Sequence, residues 1–280
     1  MASPELTLDQ AWQLILAARH HDWQGKQQAV LNNGPFRLEV ERGGQWRADQ
    51  PHSREADELL SIFLPLAARP GAFVVGQLGQ SLDGRIATES GASFYINGET
   101  ARTHLHRLRA MVDAVVVGVG TVNADDPQLT VRHVCGPNPV RVVLDPKGRA
   151  HKGSRLFHDG DATTLHLSNA APADPCTVAR NVPTLAIADG ANGVDPAAIL
   201  ALLASRGLHR VLIEGGGDTV SRFLQAGQLD QLHLLIAPMV IGSGRPGLSL
   251  APIDTLDTAL RPRTRRFACG EDTLFELTLR

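Results

Sequence analysis

Cysteine is scarce in this sequence. Cys135, Cys176 and Cys269 are far apart and odd in number, which argues against a disulfide framework and against a zinc site built on paired cysteines. A reducing, cytoplasmic location is the expectation. An excess of charge of one sign is missing too. The formal net charge is −2, so no general electrostatic pull toward nucleic acid or an anionic membrane is expected. No apolar run reaches the roughly 18–20 residues needed to span a bilayer. The N-terminus lacks the basic stretch before an apolar run that marks a secretory signal. There is no HxE…PCxxC deaminase motif, no GxSxG elbow and no Walker A loop, which removes several reaction classes. What is present, 43% hydrophobic and 20% charged residues in a chain of 280, is ordinary for a soluble globular protein. It allows one large domain, or one domain with an appendage.

Residues 1–70 differ from the rest. LDQAWQLILAAR, Leu8–Arg19, has apolar residues at helical spacing after a capping Thr7. Turn signals at Asn32–Pro35 and Gly43-Gly44 divide Ala29–Ala48 into two or three short strands. A second helix, Arg54–Ala68, follows Ser53, and Pro70-Gly71 marks a boundary. We therefore expect a small N-terminal α+β appendage over residues 1–70 and a main domain over 71–280. His20, His21 and His52 read as solvated.

From Phe73 the pattern becomes strand, loop, helix, strand. Phe73–Leu78, Ala114–Val119, Val140–Leu144 and Arg210–Ile213 are short runs rich in β-branched residues, as buried strands are. Thr164–Leu167 and Thr184–Ala188 are weaker strands around a Pro-rich loop, Asn169–Pro175. Helices are expected at Gly98–Met111, with Leu105, Leu108 and Met111 on one side, at Pro196–Arg206, and through Val220–Ala226. Leu232–Ile236 is a further strand. Arg266–Ala268 and Thr273–Leu279 flank the turn Cys269–Asp272 and read as a terminal hairpin. The fold class is α/β: a three-layer α/β/α sandwich with a mixed, mostly parallel sheet and a C-terminal antiparallel hairpin.

Three constellations could carry chemistry. In IEGGGDT, Ile213–Thr219, a strand ends, three glycines follow and a helix begins. Glycines and a helix N-terminus suit a pyrophosphate, but the same sequence serves as a tight turn without a ligand. The second is cationic. Ser93, Arg109 and Arg132 lie at element ends around the same strands. They suit a phosphomonoester, unless the arginines merely pair with Asp113 or Asp126 on the surface. The third is acidic: Asp83, Asp125-Asp126 before Pro127, and Glu214 at a strand end. Asp83 and Asp125-Asp126 are equally turn signals, whereas a carboxylate at Glu214 could bind sugar hydroxyls.

The motifs SLDGRIA, GASFYI, DAVVVGVGTVNADDPQLTVR, PVRVVLD, LIEGGG and IAPMVIGSG, in that order, resemble the reductase domain of the riboflavin-biosynthesis deaminase–reductase family. The match runs from about Phe73 to Leu250. The resemblance implies a dihydrofolate-reductase-like fold, a homodimer and an NADPH-dependent oxidoreductase. The reaction implied is reduction of the ribosyl group of 5-amino-6-(5-phosphoribosylamino)uracil to ribityl. By position it implies substrate contacts from Ser93, Arg109, Leu129, Arg132 and Glu214. It implies NADPH contacts from Gly79, Tyr95, Thr121, Asp125, Gly216, Gly217, Asp218 and Thr219. Tyr95 stands where Trp is common. Lys147 and Arg149 are expected at the cofactor 2′-phosphate from their place after the VRVVLD strand, not from the family. Asp125 is the candidate proton donor, and no metal is expected.

Two departures stand out. Gln77 occupies a position where many members carry Lys, and a neutral amide cannot donate a proton as an ammonium can. Residues 1–70 are too short for the upstream zinc deaminase domain and lack its ligands, so deamination is assigned to another protein. A reductase of a related pterin or imine, and a non-catalytic nucleotide-binding or regulatory module, are the alternatives.

Overall fold

A computed structural model describes residues 5–169, 182–187, 189–190 and 193–280. Cys176, most of the expected loop Asn169–Pro175 and Ala188 of the expected strand Thr184–Ala188 lie outside the described residues. The chain divides into two compact units, Met1–Gly71 and Ala72–Arg280.

The first unit runs α1 (Leu8–His20), β1 (Gln28–Asn33), β2 (Phe36–Glu41), β3 (Trp46–Ala48) and α2 (Arg54–Ala67). Its three strands form an antiparallel meander. Thr7 and Gln10 make a capping box on α1, and Ser53 Oγ accepts the Ala56 N–H at 3.1 Å to start α2. Such caps contribute about 1 kcal/mol each. Trp12 and Phe63 meet edge to face in the core between the two helices, ring centroids 5.6 Å apart.

In chain order the second unit contains β4 (Phe73–Ser81), β5 (Arg85–Thr88), α3 (Glu99–Met111), β6 (Ala114–Gly118), α4 (Val119–Asp125) and β7 (Val140–Leu144). Then come β8 (Thr164–Leu167), β9 (Thr184–Leu185), the short pair β10 (Asp189–Gly190) and β11 (Gly193–Val194), α5 (Pro196–Ala204), β12 (Arg210–Ile213) and α6 (Gly217–Gln225). It ends with β13 (Gln231–Ala237), β14 (Gly244–Pro246), β15 (Arg263–Cys269) and β16 (Asp272–Thr278). Nine strands form one sheet in the order β15-β16-β13-β4-β12-β6-β7-β8-β9. It is parallel from β13 to β9, with β16 and β15 antiparallel at the end. This is the mixed sheet with a C-terminal hairpin that the strand pattern predicts.

Strand alternation sorts the side chains into two cores. Val74, Leu78, Val116, Val142, Val211 and Ile213 pack with Ile199 and Leu203 of α5 and Val220 and Phe223 of α6. The alternate positions include Glu214 and His233, which meet Arg109 and His104 of α3. Helices therefore cover both faces. Each buried Val, Leu or Ile side chain stabilises the fold by about 1.5–3 kcal/mol.

Three local readings are corrected. The expected strand Ala114–Val119 stops at Gly118, because Val119–Asp125 forms α4, and seven residues are too few to show a 3.6-residue period. β5 and β14 pair as an antiparallel ribbon across more than 150 residues of sequence, and neither was read as a strand. In α3 the buried row is Ala101, His104, Leu108 and Met111, while Leu105 is half-buried. His104 can be buried because its Nε2 lies 2.9 Å from Nδ1 of His233. Among the described residues, no helix is long and apolar enough to cross a membrane.

Candidate active site

Parallel strands that reverse their order in a sheet leave a crevice beyond their carboxyl ends. Here β12 inserts between β4 and β6, and a cleft of about 870 Å³ opens past the ends of these strands and β7. Two glycine turns meet there. Gly118 leads β6 into α4, and Gly216 leads β12 into α6; neither helix start has a side-chain cap. The turns lock together through Thr121, whose Oγ1 accepts the Gly216 N–H at 2.8 Å.

Two glycines are required by geometry. Gly215 has φ +95°, and a Cβ there would also come within 2.8 Å of Thr121 Oγ1. A Cβ on Gly217 would collide with the Gly247 carbonyl oxygen. Bare backbone at the N-terminus of α6 thus forms part of the cleft wall, as phosphate binding needs. The expected residues Gly79, Ser93, Thr121, Asp125, Gly216, Gly217, Asp218 and Thr219 all line this cleft. So do Lys147 and Arg149. Burial raises the Asp125 carboxyl above its usual pKa, while Arg245 opposes the shift. Arg245 reaches the cleft on β14, an element the sequence did not announce.

A second cluster forms at Thr130. Arg109, buried, donates through Nε and Nη2 to the two oxygens of Glu214 at 3.0 and 2.7 Å, and through Nη1 to the Thr130 carbonyl at 3.1 Å. Arg132 Nη1 donates to Thr130 Oγ1 at 2.6 Å, and its backbone N–H donates to His106 Nδ1 at 2.9 Å. Partial burial, then the nearby Arg109 and Arg155 guanidiniums, lower the Arg132 pKa. Leu129, buried, precedes Thr130 with φ 56°. The structure therefore brings Arg109, Leu129, Arg132 and Glu214 together.

The surface pairing weighed for the two arginines is not what forms. Asp126 pairs with Arg155 at 2.9 Å, and Asp113 accepts the backbone N–H groups of His209 and Arg210. Ser93 lines the cleft, and among the described residues no hydrogen bond joins it to Arg109 or Arg132. Tyr95 stands apart from the main cleft. It lines a second cavity of about 490 Å³ with Asn97, Met239 and Asp272, and the Arg102 guanidinium lies over its ring at 4.4 Å. Asp83 has a structural place: it accepts from Ser81 Oγ and from the Ile241 and Gly242 N–H groups, and the Ser81 bond foremost holds its pKa down to about 2.

Gln77 is buried on β4 beside His233 of β13. Burial pushes the His233 imidazole down to about 3. The neutral amide at position 77 thus sits beside a neutral imidazole.

A mostly parallel sheet with glycine turns at its carboxyl edge defines the class of α/β proteins that bind nucleotides there. The chain belongs to a particular family of that class: the RibD C-terminal domain model matches residues 72–274. The 2,5-diamino-6-ribosylamino-4(3H)-pyrimidinone 5′-phosphate reductase of Methanothermobacter thermautotrophicus is 36% identical over 215 residues, covering 74% of this chain and 98% of the relative. The riboflavin biosynthesis protein RibD of Aquifex aeolicus is 31% identical, covering 78% of this chain and 61% of the relative. Among solved structures, Acinetobacter baumannii RibD superposes with a TM-score of 0.63 at 28% identity. That match covers 80% of this chain, which spans 62% of the RibD chain.

Proposed function

We propose that this protein is an NADPH-dependent reductase of riboflavin biosynthesis that reduces the ribosyl group of 5-amino-6-(5-phosphoribosylamino)uracil to ribityl. The observation that carries the reading is the cleft in which the turns Gly118–Thr121 and Gly216–Thr219 converge, with the Arg109–Glu214 and Arg132 cluster at Thr130. Gly79, Thr121, Asp125 and Gly216 through Thr219 hold the cofactor, the α6 N-terminus taking its pyrophosphate. Tyr95 contacts the cofactor only if the ligand extends from the main cleft to the second cavity. When bound, the nicotinamide supplies a hydride to C1′ of the ring-opened ribose imine. The protein contributes orientation and electrostatics.

Ser93, Leu129 and Arg132 anchor the substrate. Arg109 and Glu214 neutralise each other, so Glu214 offers its remaining acceptor capacity to sugar hydroxyls while Arg109 fixes its orientation. Asp125 keeps its proton to higher pH than an exposed carboxylate does, and this suits it to donate one. A homodimer is the assembly proposed, supported by the exposed apolar side chains of Leu82, Phe94 and Val240.

A second reading is favoured by one observation. Relatives of which this chain covers 98% and 83% are named for the 2,5-diamino pyrimidinone phosphate, which carries an amino group where the uracil carries an oxygen. Absorbance-monitored NADPH oxidation with each compound separates the two, the larger kcat/KM identifying the substrate. Bound NADPH that neither compound oxidises would remove both readings in favour of a regulatory module.

A further inference from the structure

Resting on the reading of Leu129 and Arg132 as substrate contacts, we propose that Arg141 is a positioning residue of the site. With Asn138 it holds the loop 126–132 in the backbone shape that presents Leu129 and Arg132 to a phosphorylated substrate. The loop needs holding. Among the described residues, Asp126 at φ 41° and Leu129 at φ 56° are the two non-glycine residues with left-handed backbone. Asp126 caps α4, where a short polar side chain tolerates this conformation. Leu129 is bulky and is an outlier there. Such strain persists only where the surroundings over-determine it.

The surroundings here are a buried guanidinium and one amide. Arg141, on β7, is 1% exposed, so it acts through other residues. Its Nη1 donates to the carbonyl of Gln128, the residue before Leu129, at 3.2 Å. Its fork grips the two oxygens of Asp159 at 2.8 Å each. Nη2 also donates to the Ala162 carbonyl at 2.7 Å, and Nε to Thr164 Oγ1 at 2.9 Å. Every donor of the guanidinium is met, as burial of a charge requires. A second tie runs back to the loop from the same segment. Asn138 Nδ2 donates to the Asp161 carbonyl at 3.1 Å, and its Oδ1 accepts the Val131 N–H at 2.7 Å. The loop is therefore gripped at Gln128 and at Val131, on either side of Leu129 and Thr130, and both grips lead to residues 159–162. Arg155 adds a third at Asp126. A lysine at position 141 could face Asp159 but could not reproduce the planar fork that reaches Gln128 at the same time. A loop fixed beforehand loses less freedom when the substrate binds.

Steady-state NADPH oxidation by the full chain, with the two pyrimidine phosphates and their dephosphorylated forms, tests this. Arg141→Lys keeps the charge opposite Asp159 and loses the fork. Asn138→Ala, at an exposed position, leaves the core untouched and cuts the second tie. Each is expected to raise KM for the phosphorylated substrate at least about tenfold, with kcat within about threefold. NADPH affinity, read by fluorescence titration, is expected to stay within about twofold. The dephosphorylated compound, read as substrate or as competitive inhibitor, lacks the group that Arg132 holds and is expected to bind variant and wild type within about twofold. An unchanged KM in the folded variants overturns the positioning role. So does an equal weakening of phosphorylated substrate, dephosphorylated compound and NADPH, which is what general loosening of the fold would give. Asn138→Ala decides alone if Arg141→Lys does not fold. A wild type that turns over neither phosphate overturns the substrate reading itself.

Discussion

At the scale of single residues, the buried Arg109–Glu214 pair is the most demanding feature. Two charges removed from water hold each other only while both are present. Glu214→Ala leaves a buried guanidinium, and we expect a loss of about 3–5 kcal/mol in urea denaturation; an unchanged midpoint would show that water reaches the site. Both residues were recognisable in the sequence, but their partnership was not. Nearby Asp113 and Asp126 were the plausible partners of the arginines, whereas Glu214 lies 105 residues beyond Arg109 and reaches it only because β12 lies under α3.

His106 shows the acid side of the same cluster. Burial, then the Arg109 guanidinium, push its imidazole down to about 3, and its Nδ1 must stay unprotonated to accept the Arg132 N–H. The unfolded chain binds that proton near pH 6.5, at higher pH than the folded chain does. The stabilisation is therefore complete above about pH 6.5 and is lost as pH falls toward the folded value. His233 adds to it in the same window, because burial has pushed it down to about 3 as well. The melting temperature is expected to drop between about pH 7 and pH 4, with a shallower slope in His106→Gln, whose amide oxygen can accept without titrating. Equal slopes would mean that other groups carry the acid response.

At the scale of elements, the strand–glycine–helix unit was legible because its signals are local. A β-branched run, three glycines and a helix occur within a dozen residues. The β5–β14 ribbon was not, since Arg85–Thr88 and Gly244–Pro246 are short, and each is a strand only because the other is beside it. The ribbon and the α6 turn also touch: Gly217 packs against Gly247, one residue past β14. Gly217→Ala should force that contact apart, at a cost of about 1–3 kcal/mol in stability. NADPH affinity should fall with it, by about tenfold or more if the pyrophosphate lies where proposed. Calorimetric titration of a folded Gly217→Ala protein with wild-type affinity would remove the pyrophosphate from this turn.

At the scale of the molecule, alternation of helices and strands gave away the α/β architecture, and the terminal hairpin was visible in its period-two pattern. Residues 1–70 gave away their helices through Thr7 and Ser53 and their strands through the turn at Asn33-Gly34, but no chemistry. The first unit has its own core around Trp12 and Phe63, and every residue proposed for the site belongs to the second unit. A chain comprising residues 72–280 is therefore expected to fold, by circular dichroism, and to bind NADPH within about threefold of the full chain. Loss of binding by a folded truncation would make the first unit part of the working enzyme.

The central claim, that this cleft delivers a hydride to the first carbon of a phosphorylated sugar, is tested most directly with NADPH deuterated at the transferable position. The product is then read by mass spectrometry and NMR. The account predicts one deuterium at C1′ of the ribityl chain with at least one of the two pyrimidine substrates. Tight NADPH binding with no deuterium in either product would contradict it.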